Sequence, residues 1–250
     1  IADTLIVGQC IGAGALAAVG SAYTLMVFLI SVLLGLAMGS GTVFSLHYGA
    51  GNHVALRRSI FSSFVLIGIV TLILNVAVFI LLDPILRLLQ VPQDIYGMMR
   101  SYSWIIFCGI VFTFIYNFYA SLLRAVGDSV TPLWFLAVSV VLNIALDLFF
   151  ILQLDWGIQG AASATVLAQG VAALGIIIYT YRRRPELRWH HEDMCFDRTC
   201  LKEIASFSTL TCVQQSVMNL GILMIQGLVN SFGTAVMAAF AAAVKIDSFA

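Results

Sequence analysis

The sequence predicts an all-α integral membrane protein, a polytopic helical bundle. Hydrophobic residues make up 61% of the 250 residues, charged residues make up 10%, and the mean hydropathy is +1.03. Soluble domains are about 45–50% apolar and about 25% charged, so this composition excludes an ordinary soluble fold. Many apolar runs reach the roughly 20 residues that an α-helix needs to cross a bilayer. Barrel strands would be about ten residues long with strict alternation, a pattern that these runs lack.

Polar residues divide the sequence into eight apolar runs, of which the first and last are cut short. In order, they are a run ending near Val7, Leu16–Leu46, Ile60–Leu82, Ser101–Leu123, Leu133–Leu152, Ile158–Tyr181, Phe207–Val229 and a run from Thr234. We expect each of the six complete runs to form one membrane-spanning helix. Because the chain starts at Ile1 and its last run has no stop signal, we also expect a fragment of a longer protein.

The basic residues predict how the bundle is oriented. Alternate connections carry nine Lys and Arg residues, including Arg57, Arg58 and Arg124, whereas the other set carries only Arg87 and Arg100. Cytoplasmic loops of membrane proteins are enriched in Lys and Arg. We therefore expect the basic connections to be cytoplasmic and the first helix to enter the membrane from that side.

Two connections are more than simple turns. Residues 83–99 have apolar side chains at helical spacing interrupted by Pro92, a pattern that fits an amphipathic segment at the membrane interface and an ordinary loop equally well. The charged connection 182–206 is the longest. It divides the chain into a first lobe, residues 1–181, and the start of a second lobe, residues 207–250.

A short internal sequence repeat favours a division of the protein into two lobes. Residues 16–19, Leu-Ala-Ala-Val, match residues 237–240, Met-Ala-Ala-Phe, at an offset of 221 residues. Both segments follow a helix and a short turn and lead into a helix rich in Ala and Gly. Internal repeats are typical of secondary transporters, and this offset implies a parent chain of roughly 440 residues.

Several polar residues lie inside the apolar runs. Asp147 lies near the middle of its run, and Asn143 precedes it by four residues, which places both on one helix face. Thr165 and Gln169 repeat this spacing on the next helix. Asp3 lies in the first run, and on position alone it could equally be a residue at the end of a helix. Together these side chains could line one hydrated cavity in the first lobe.

The cost of burial separates the acids from the other polar residues. Membrane Asn, Thr and Gln side chains often only bond helices together, each by about 0.6 kcal/mol, and this structural role stays open for Asn143, Thr165 and Gln169. An ionised Asp at the bilayer centre costs about 2.5–3.5 kcal/mol, and such residues commonly mark ion or proton pathways. Burial favours the neutral form of a carboxyl group, as does a second carboxylate nearby. Asp147, with Asp3, is therefore the candidate for proton or cation coupling.

Other residue clusters do not indicate a catalytic or metal site. The segment 190–200 contains His, Glu, Asp and Cys residues, but its spacing matches no ordinary zinc pattern, so we interpret it as a solvated linker. Lys245 and Asp247 are assigned a structural role. The five cysteines indicate no disulfide framework. No nucleophile or phosphate-binding loop is visible, and the net charge of +0 favours no nucleic acid, so we expect no enzyme, metal or cofactor.

Four segments resemble one known family. They are ADTLIVGQCIGAGALAAVG, LLRAVGDSVTP, LNIALDLFFILQLDWGIQGAASATVLAQ and QQSVMNLGILMIQGLVNSFGTAVMAAF. The chain is similar over essentially its whole length to the multidrug and toxic compound extrusion (MATE) family. That resemblance implies a transporter of two six-helix lobes, of which this chain holds the first lobe and about two helices of the second. It also implies export of organic cations and amphiphilic compounds in exchange for protons or sodium.

The resemblance implies roles for particular residues. Asp3, Asn143, Asp147 and Thr165 match the first-lobe cation or proton network of the DinF-like branch. The run Phe207–Val229 has no acidic residue, unlike the NorM-like branch, which favours the DinF-like branch and weakens the case for a sodium site in the second lobe. A possible substrate cavity is assigned to Tyr102, Asn117 and Gln169.

The expected function is therefore multidrug efflux by an ion-coupled antiporter in a bacterial inner membrane, acting as a monomer on drug-like small molecules. Two alternatives stay open. One is a lipid-linked oligosaccharide flippase of the related superfamily, which would carry basic residues in its cavity. The other is a membrane receptor or structural bundle without transport, in which the buried carboxylates would be locked in ion pairs.

Overall fold

A computed structural model describes residues 2–189 and 198–247, and their side chains at 6–189 and 201–244. This described part contains nine α-helices and no β-strand. A π-helical turn, Phe149–Gln153, continues the sixth helix. The helices are α1 (Ala2–Cys10), α2 (Ala13–Gly49), α3 (His53–Leu88), α4 (Gln93–Cys108), α5 (Ile110–Ala125), α6 (Val130–Leu148), α7 (Gly157–Arg183), α8 (Arg198–Asn230) and α9 (Thr234–Asp247). The prediction of an all-α fold is confirmed.

The long helices match the predicted membrane spans. Helices α2, α3, α7 and α8, together with α6 and its π turn, are long and apolar enough to cross a membrane. Helices α4 and α5 form a further candidate span with a bend of 47°. Within the described residues, each of the complete apolar runs thus corresponds to one span. The chain is a multi-pass membrane protein.

The bend between α4 and α5 corrects the prediction of one continuous helix over residues 101–123. A Cβ atom added at Gly109, which lies between the two helices, would be 2.6 Å from Cγ2 of Val166 on α7. Only glycine allows α7 to approach the backbone this closely. The bend therefore lies where α7 presses against α4 and α5.

The segment 83–99 is divided between two spans. Helix α3 continues through Pro84, and Pro92 directly precedes α4. Oδ1 of Asp83 accepts hydrogen bonds from Nε of Arg100 at 2.8 Å and from the hydroxyl of Tyr96 at 2.9 Å. These bonds tie the end of α3 to the start of α4. The segment therefore forms the end of α3, a short turn and the start of α4, and its location at the membrane interface stays a prediction.

Helices α2, α5 and α7 all finish at one end of the bundle, which we call the basic end because it carries the arginine-rich connections. Nε2 of His47, near the end of α2, lies 3.6 Å from Oε2 of Glu203 on α8. Nη2 of Arg184, directly after α7, lies 3.8 Å from Oδ2 of Asp128 in the α5–α6 turn. The connections that the sequence groups by charge are therefore grouped in space as well.

Helix α2 lies at the centre of the fold and packs against α8 and α9 as well as α3, α4 and α5. Its glycines bring it into backbone contact with α8. A Cβ atom at Gly35 would lie 2.4 Å from the Cα of Cys212, and one at Gly39 would lie 2.4 Å from the Cα of Ser208. Glycines four residues apart are a common means of close approach between membrane helices.

Buried polar side chains join α2 to α8 near the end opposite the basic end. The hydroxyl of Ser21 donates to Oδ1 of Asn230 at 3.1 Å, and that of Thr24 donates to Oε1 of Gln226 at 3.1 Å. Nε2 of Gln226 donates to Ser21 Oγ at 2.9 Å and to Asn230 Oδ1 at 2.8 Å. Nδ2 of Asn230 donates to the backbone oxygen of Leu89 at 2.8 Å. This network fixes the register of the two helices.

The short internal sequence repeat coincides with two similar turns in the structure. Helix α2 begins directly after Gly12, whose φ is 113°, and α9 begins directly after Gly233, whose φ is 91°. Side chains disfavour this left-handed backbone, so glycine is the residue suited to both turns. The two glycines are 221 residues apart, which is the offset predicted from the sequence. The division into two lobes stays a prediction that this equivalence supports.

Gly39→Ala is expected to destabilise the protein by about 1–3 kcal/mol, because the added methyl group would overlap the backbone of Ser208. The measurement is thermal unfolding in detergent, followed by circular dichroism. Gly221→Ala on α8 is the control, since no heavy atom lies within 4 Å of its added Cβ. That variant should be as stable as the parent or slightly more so. Equal unfolding temperatures for the two variants would contradict the close approach of α2 and α8.

Candidate functional site

A cavity of about 320 Å³ lies between α5, α6 and α7. All the residues that line it are uncharged, and they combine apolar side chains with Tyr116 and six other polar residues. These six are Thr113, Asn117, Ser139, Asn143, Thr165 and Gln169. The cavity therefore offers hydrogen-bonding groups inside a membrane-spanning bundle, which is the setting of an ion or substrate site.

Two of the predicted coupling residues meet across this cavity. Nδ2 of Asn143 on α6 donates to Oγ1 of Thr165 on α7 at 3.3 Å. The Thr165 hydroxyl donates in turn to the backbone oxygen of Ala161 at 3.0 Å. Because the threonine hydrogen is already donated, the oxygen atoms of both side chains can accept hydrogen bonds or coordinate a cation.

Asp147 lies one turn beyond Asn143 on α6 and is 0% exposed. It does not line the cavity itself. The π turn Phe149–Gln153 starts two residues later. Such turns are rare and are frequently found at functional sites. The structure thus places a carboxyl group in the protein interior, next to an irregularity of the helix that carries it.

The side chain of Asp3 lies outside the described residues, so its place in the predicted network stays a prediction. Its helix, α1, packs against α2, α6 and α7. Helices α6 and α7 carry Asn143 and Thr165. The fold therefore places α1, which carries Asp3, beside the helices that carry Asn143, Asp147 and Thr165.

Helix α5 forms the third wall of the cavity. The hydroxyl of Thr113 donates to Oε1 of Gln169 on α7. Nδ2 of Asn117 donates to the backbone oxygen of Thr113 at 2.8 Å. The hydroxyl of Tyr116 donates to the backbone oxygen of Pro132 at 2.9 Å, which ties α5 to the start of α6. Both Asn117 and Gln169 line the cavity, and their assignment to substrate binding stays a prediction.

The assignment of Tyr102 to a substrate cavity stays a prediction. Tyr102 is buried on α4, with 5% of its surface exposed, and does not line this cavity. The sequence-based selection omitted Thr113, Tyr116 and Ser139. The spacing of Thr113, Asn117 and Ser121, four residues apart on one helix, is the signal that could have identified the α5 wall.

Some predictions fall on residues that the structure does not describe. The segment 190–197 and the side chains of Cys200, Lys245 and Asp247 lie outside the described residues. Among the described side chains, no group of three or more His, Cys, Asp or Glu residues could hold a metal ion.

The comparison with protein families identifies the chain. The MatE family model matches residues 1–149, which include α1 to α6 and both Asn143 and Asp147. The chain belongs to the MATE family. Members of this family are transporters rather than enzymes.

The MATE chain is similar to two proteins of Bacillus subtilis described as probable multidrug resistance proteins. It is 33% identical to YpnP over 98% of this chain and 55% of that protein. It is 29% identical to YoeA over 98% of this chain and 54% of that protein. The chain therefore spans about half the length of the curated relatives it matches.

The fold of the MATE chain also matches a solved structure. This is a multidrug resistance MATE family transporter in an inward-facing conformation, with a TM-score of 0.90 and 24% identity over 99% of this chain and 57% of that one. At this identity the match shows the fold alone. It confirms the MATE-like bundle expected from the sequence.

The hydrogen bond between Thr113 and Gln169 gives a stability prediction for the MATE chain. In the full-length protein, Thr113→Val and Gln169→Leu should be non-additive by about 0.6 kcal/mol, the average for a hydrogen bond between membrane helices. Chemical unfolding in mixed micelles measures the cycle. Thr113→Val combined with Thr180→Val is the control, because Thr180 donates only within α7, to Ile176. If both pairs prove additive, the hydrogen bond between Thr113 and Gln169 is absent in solution.

Proposed function

We propose that the protein containing this chain is a secondary active multidrug exporter that exchanges organic cations or amphiphilic compounds for protons or sodium ions. The descriptions of YpnP and YoeA as probable multidrug resistance proteins support this function. Asp147 carries the proposal, because it is the acid that the described structure buries completely within a membrane-spanning helix.

The burial of Asp147 supports a coupling role. An ionised carboxyl in the bilayer centre costs about 2.5–3.5 kcal/mol, so its charge state depends on whether a cation or proton is bound. Moving one elementary charge through 100 mV supplies about 2.3 kcal/mol. Energy of that size shifts a two-state equilibrium nearly fiftyfold and can drive alternation between inward and outward openings. Asn143 and Thr165 would provide the neighbouring oxygen ligands, and Asp3 would complete the site from α1.

The proposed orientation, location and oligomeric state of the protein are as follows. The nine-to-two distribution of basic residues supports a cytoplasmic basic end. We assign the protein to the inner membrane of a bacterium, as a monomer without a bound cofactor. Drug-like molecules would contact Asn117 and Gln169 in the cavity.

Asp147→Asn in the full-length protein is expected to abolish gradient-driven export, because the amide cannot change its charge. The measurement is efflux of a fluorescent cation from inverted vesicles with and without an imposed ion gradient, together with drug resistance of the cells. Asp155→Asn is the matched control, since Asp155 is exposed in the turn after α6, and it should leave export unchanged.

Immunoblots of the membrane fraction must show equal amounts of the two variants. Undiminished resistance and gradient-driven efflux in cells that carry Asp147→Asn would refute ion coupling through this residue.

A further inference from the structure

A second cavity, of about 640 Å³, lies between α2 and α5 towards the basic end. Its lining includes Met38, Thr42 and Ser45 from α2. From α5 it includes Asn117, Ser121 and Arg124. Asn117 also lines the cavity that holds Asn143 and Thr165. The side chain of Asn117 is therefore shared by the two cavities and lies at their junction.

A polar stripe on α5 runs through both cavities. Thr113, Asn117 and Ser121 are four residues apart and lie on one helix face. Arg124 follows near the end of the helix. The order along the stripe leads from the pair formed by Thr113 and Gln169 to the basic end.

The hydrogen bonds of the stripe determine what it offers to a ligand. The hydroxyl of Thr113 donates to Gln169, and that of Ser121 donates to the backbone oxygen of Ala37 at 2.7 Å. The Ser45 hydroxyl, on the opposite wall, donates to the backbone oxygen of Gly41 at 3.0 Å. Each hydroxyl hydrogen is thus already donated within the protein. The oxygen atoms keep free lone pairs, which suit water molecules that carry a proton or a small hydrated cation.

Packing on the other side of α5 holds this stripe in place. The ring of Phe118 makes edge contacts with Phe44 on α2 and Phe64 on α3, with centroids 5.9 and 5.3 Å apart. On the face of the stripe itself, a Cβ atom at Gly41 would lie 2.4 Å from Oγ of Ser121, so a glycine at this position permits the close approach of α2. The polar face of α5 is therefore rigidly directed towards the two cavities.

Arg124 gives the mouth of the second cavity a positive charge. Its side chain is exposed, and no carboxylate among the described residues lies within ion-pair distance of it. A fixed positive charge weakens the binding of a cation nearby. A cation is therefore not retained at the mouth, and the same charge raises a barrier to cations that enter from the basic end.

We propose that Thr113, Asn117 and Ser121 line an inner passage through which the coupling ion moves between the Asn143–Thr165 cavity and the basic end of the bundle, with Asn117 as its constriction. This inference rests on the proposed function, since it supplies the route for the ion that drives export. The ion is a proton carried by water or a sodium ion, and both use the same acceptor oxygens.

Cysteine accessibility tests the passage without relying on transport. In a cysteine-free full-length background, Asn117→Cys and Ser121→Cys should react with a membrane-impermeant methanethiosulfonate reagent applied to inverted vesicles, in which the basic end faces outward. Ala120→Cys is the matched control, because Ala120 is 1% exposed and lines neither cavity. It should stay unmodified.

Reaction at Ser121→Cys without reaction at Asn117→Cys, under gradients of either direction and with the small thiol-reactive cation Ag⁺ as well as the methanethiosulfonate, would show that the passage is closed at Asn117 and would overturn the proposal. Reaction of Asn117→Cys only in right-side-out vesicles would also overturn it. Either result can be obtained even if the protein proves not to export drugs, so failure of the passage and failure of the proposed function are distinguishable.

A second test uses Asn117→Leu, which keeps the side-chain size but removes the acceptor oxygen. If Asn117 serves the passage, the maximal rate of gradient-driven export falls several-fold, whether or not the KM for the drug also rises. If Asn117 is only a drug contact, the KM rises and the maximal rate is unchanged, which would contradict the proposal. Driving wild-type export with a pH gradient alone or a sodium gradient alone identifies the ion.

The effect of the Arg124 charge on the mouth of the passage can be measured separately. At Ser121→Cys, a negatively charged thiol reagent should react faster relative to a positively charged one than the two reagents do with a free thiol in solution, because Arg124 attracts the first and repels the second. Arg124→Gln should lower the ratio of the two rates several-fold. An unchanged ratio would show that Arg124 does not lie at the mouth of the passage.

Discussion

Backbone contact between α2 and α8 joins the two parts of the chain that the long charged connection separates. Lipid gives membrane helices no hydrophobic reason to associate, so close packing and hydrogen bonds must hold them together. Glycines at 35 and 39 provide the packing towards the basic end, and the network around Gln226 provides the hydrogen bonds towards the other end. With 37 residues, α2 is about 55 Å long, which is enough to make both contacts. Of the cavity helices, α5 packs directly against this central element, and α7 packs against both α5 and α6.

The predicted repeat agrees with the backbone at two turns but does not extend to the acid of α1. The left-handed glycines at 12 and 233 start equivalent helices, yet the same offset places Met224 where α1 carries Asp3. The turn geometry is therefore repeated, whereas the acid is not. Among the described side chains, the fully buried acid, Asp147, lies on a helix of the first part.

The sequence predicts the spans well because twenty apolar residues in a membrane have few alternatives to a helix. It also predicts which faces of α6 and α7 are polar, since Asn143 and Thr165 meet as their spacing indicates. The bend at Gly109 is not predictable in this way, because it depends on Val166, a residue from a distant helix. The same holds for Tyr102, whose burial on α4 is decided by the packing of its neighbours. The α5 wall is an intermediate case. The four-residue spacing of its polar side chains is visible in the sequence, whereas the residues that they contact are not.

The π turn that follows Asp147 has a geometric consequence for the acid. A π turn contains one residue more than the regular helix needs, and that surplus residue can be transferred along the chain by exchanging a few backbone hydrogen bonds. If it moved to the other side of Asp147, the carboxyl would rotate by about 100° around the axis of α6, the angle between successive residues of an α-helix. The ends of α6 would stay in place. A membrane helix built in this way can redirect the few side chains that the π turn passes, without tilting or sliding as a whole.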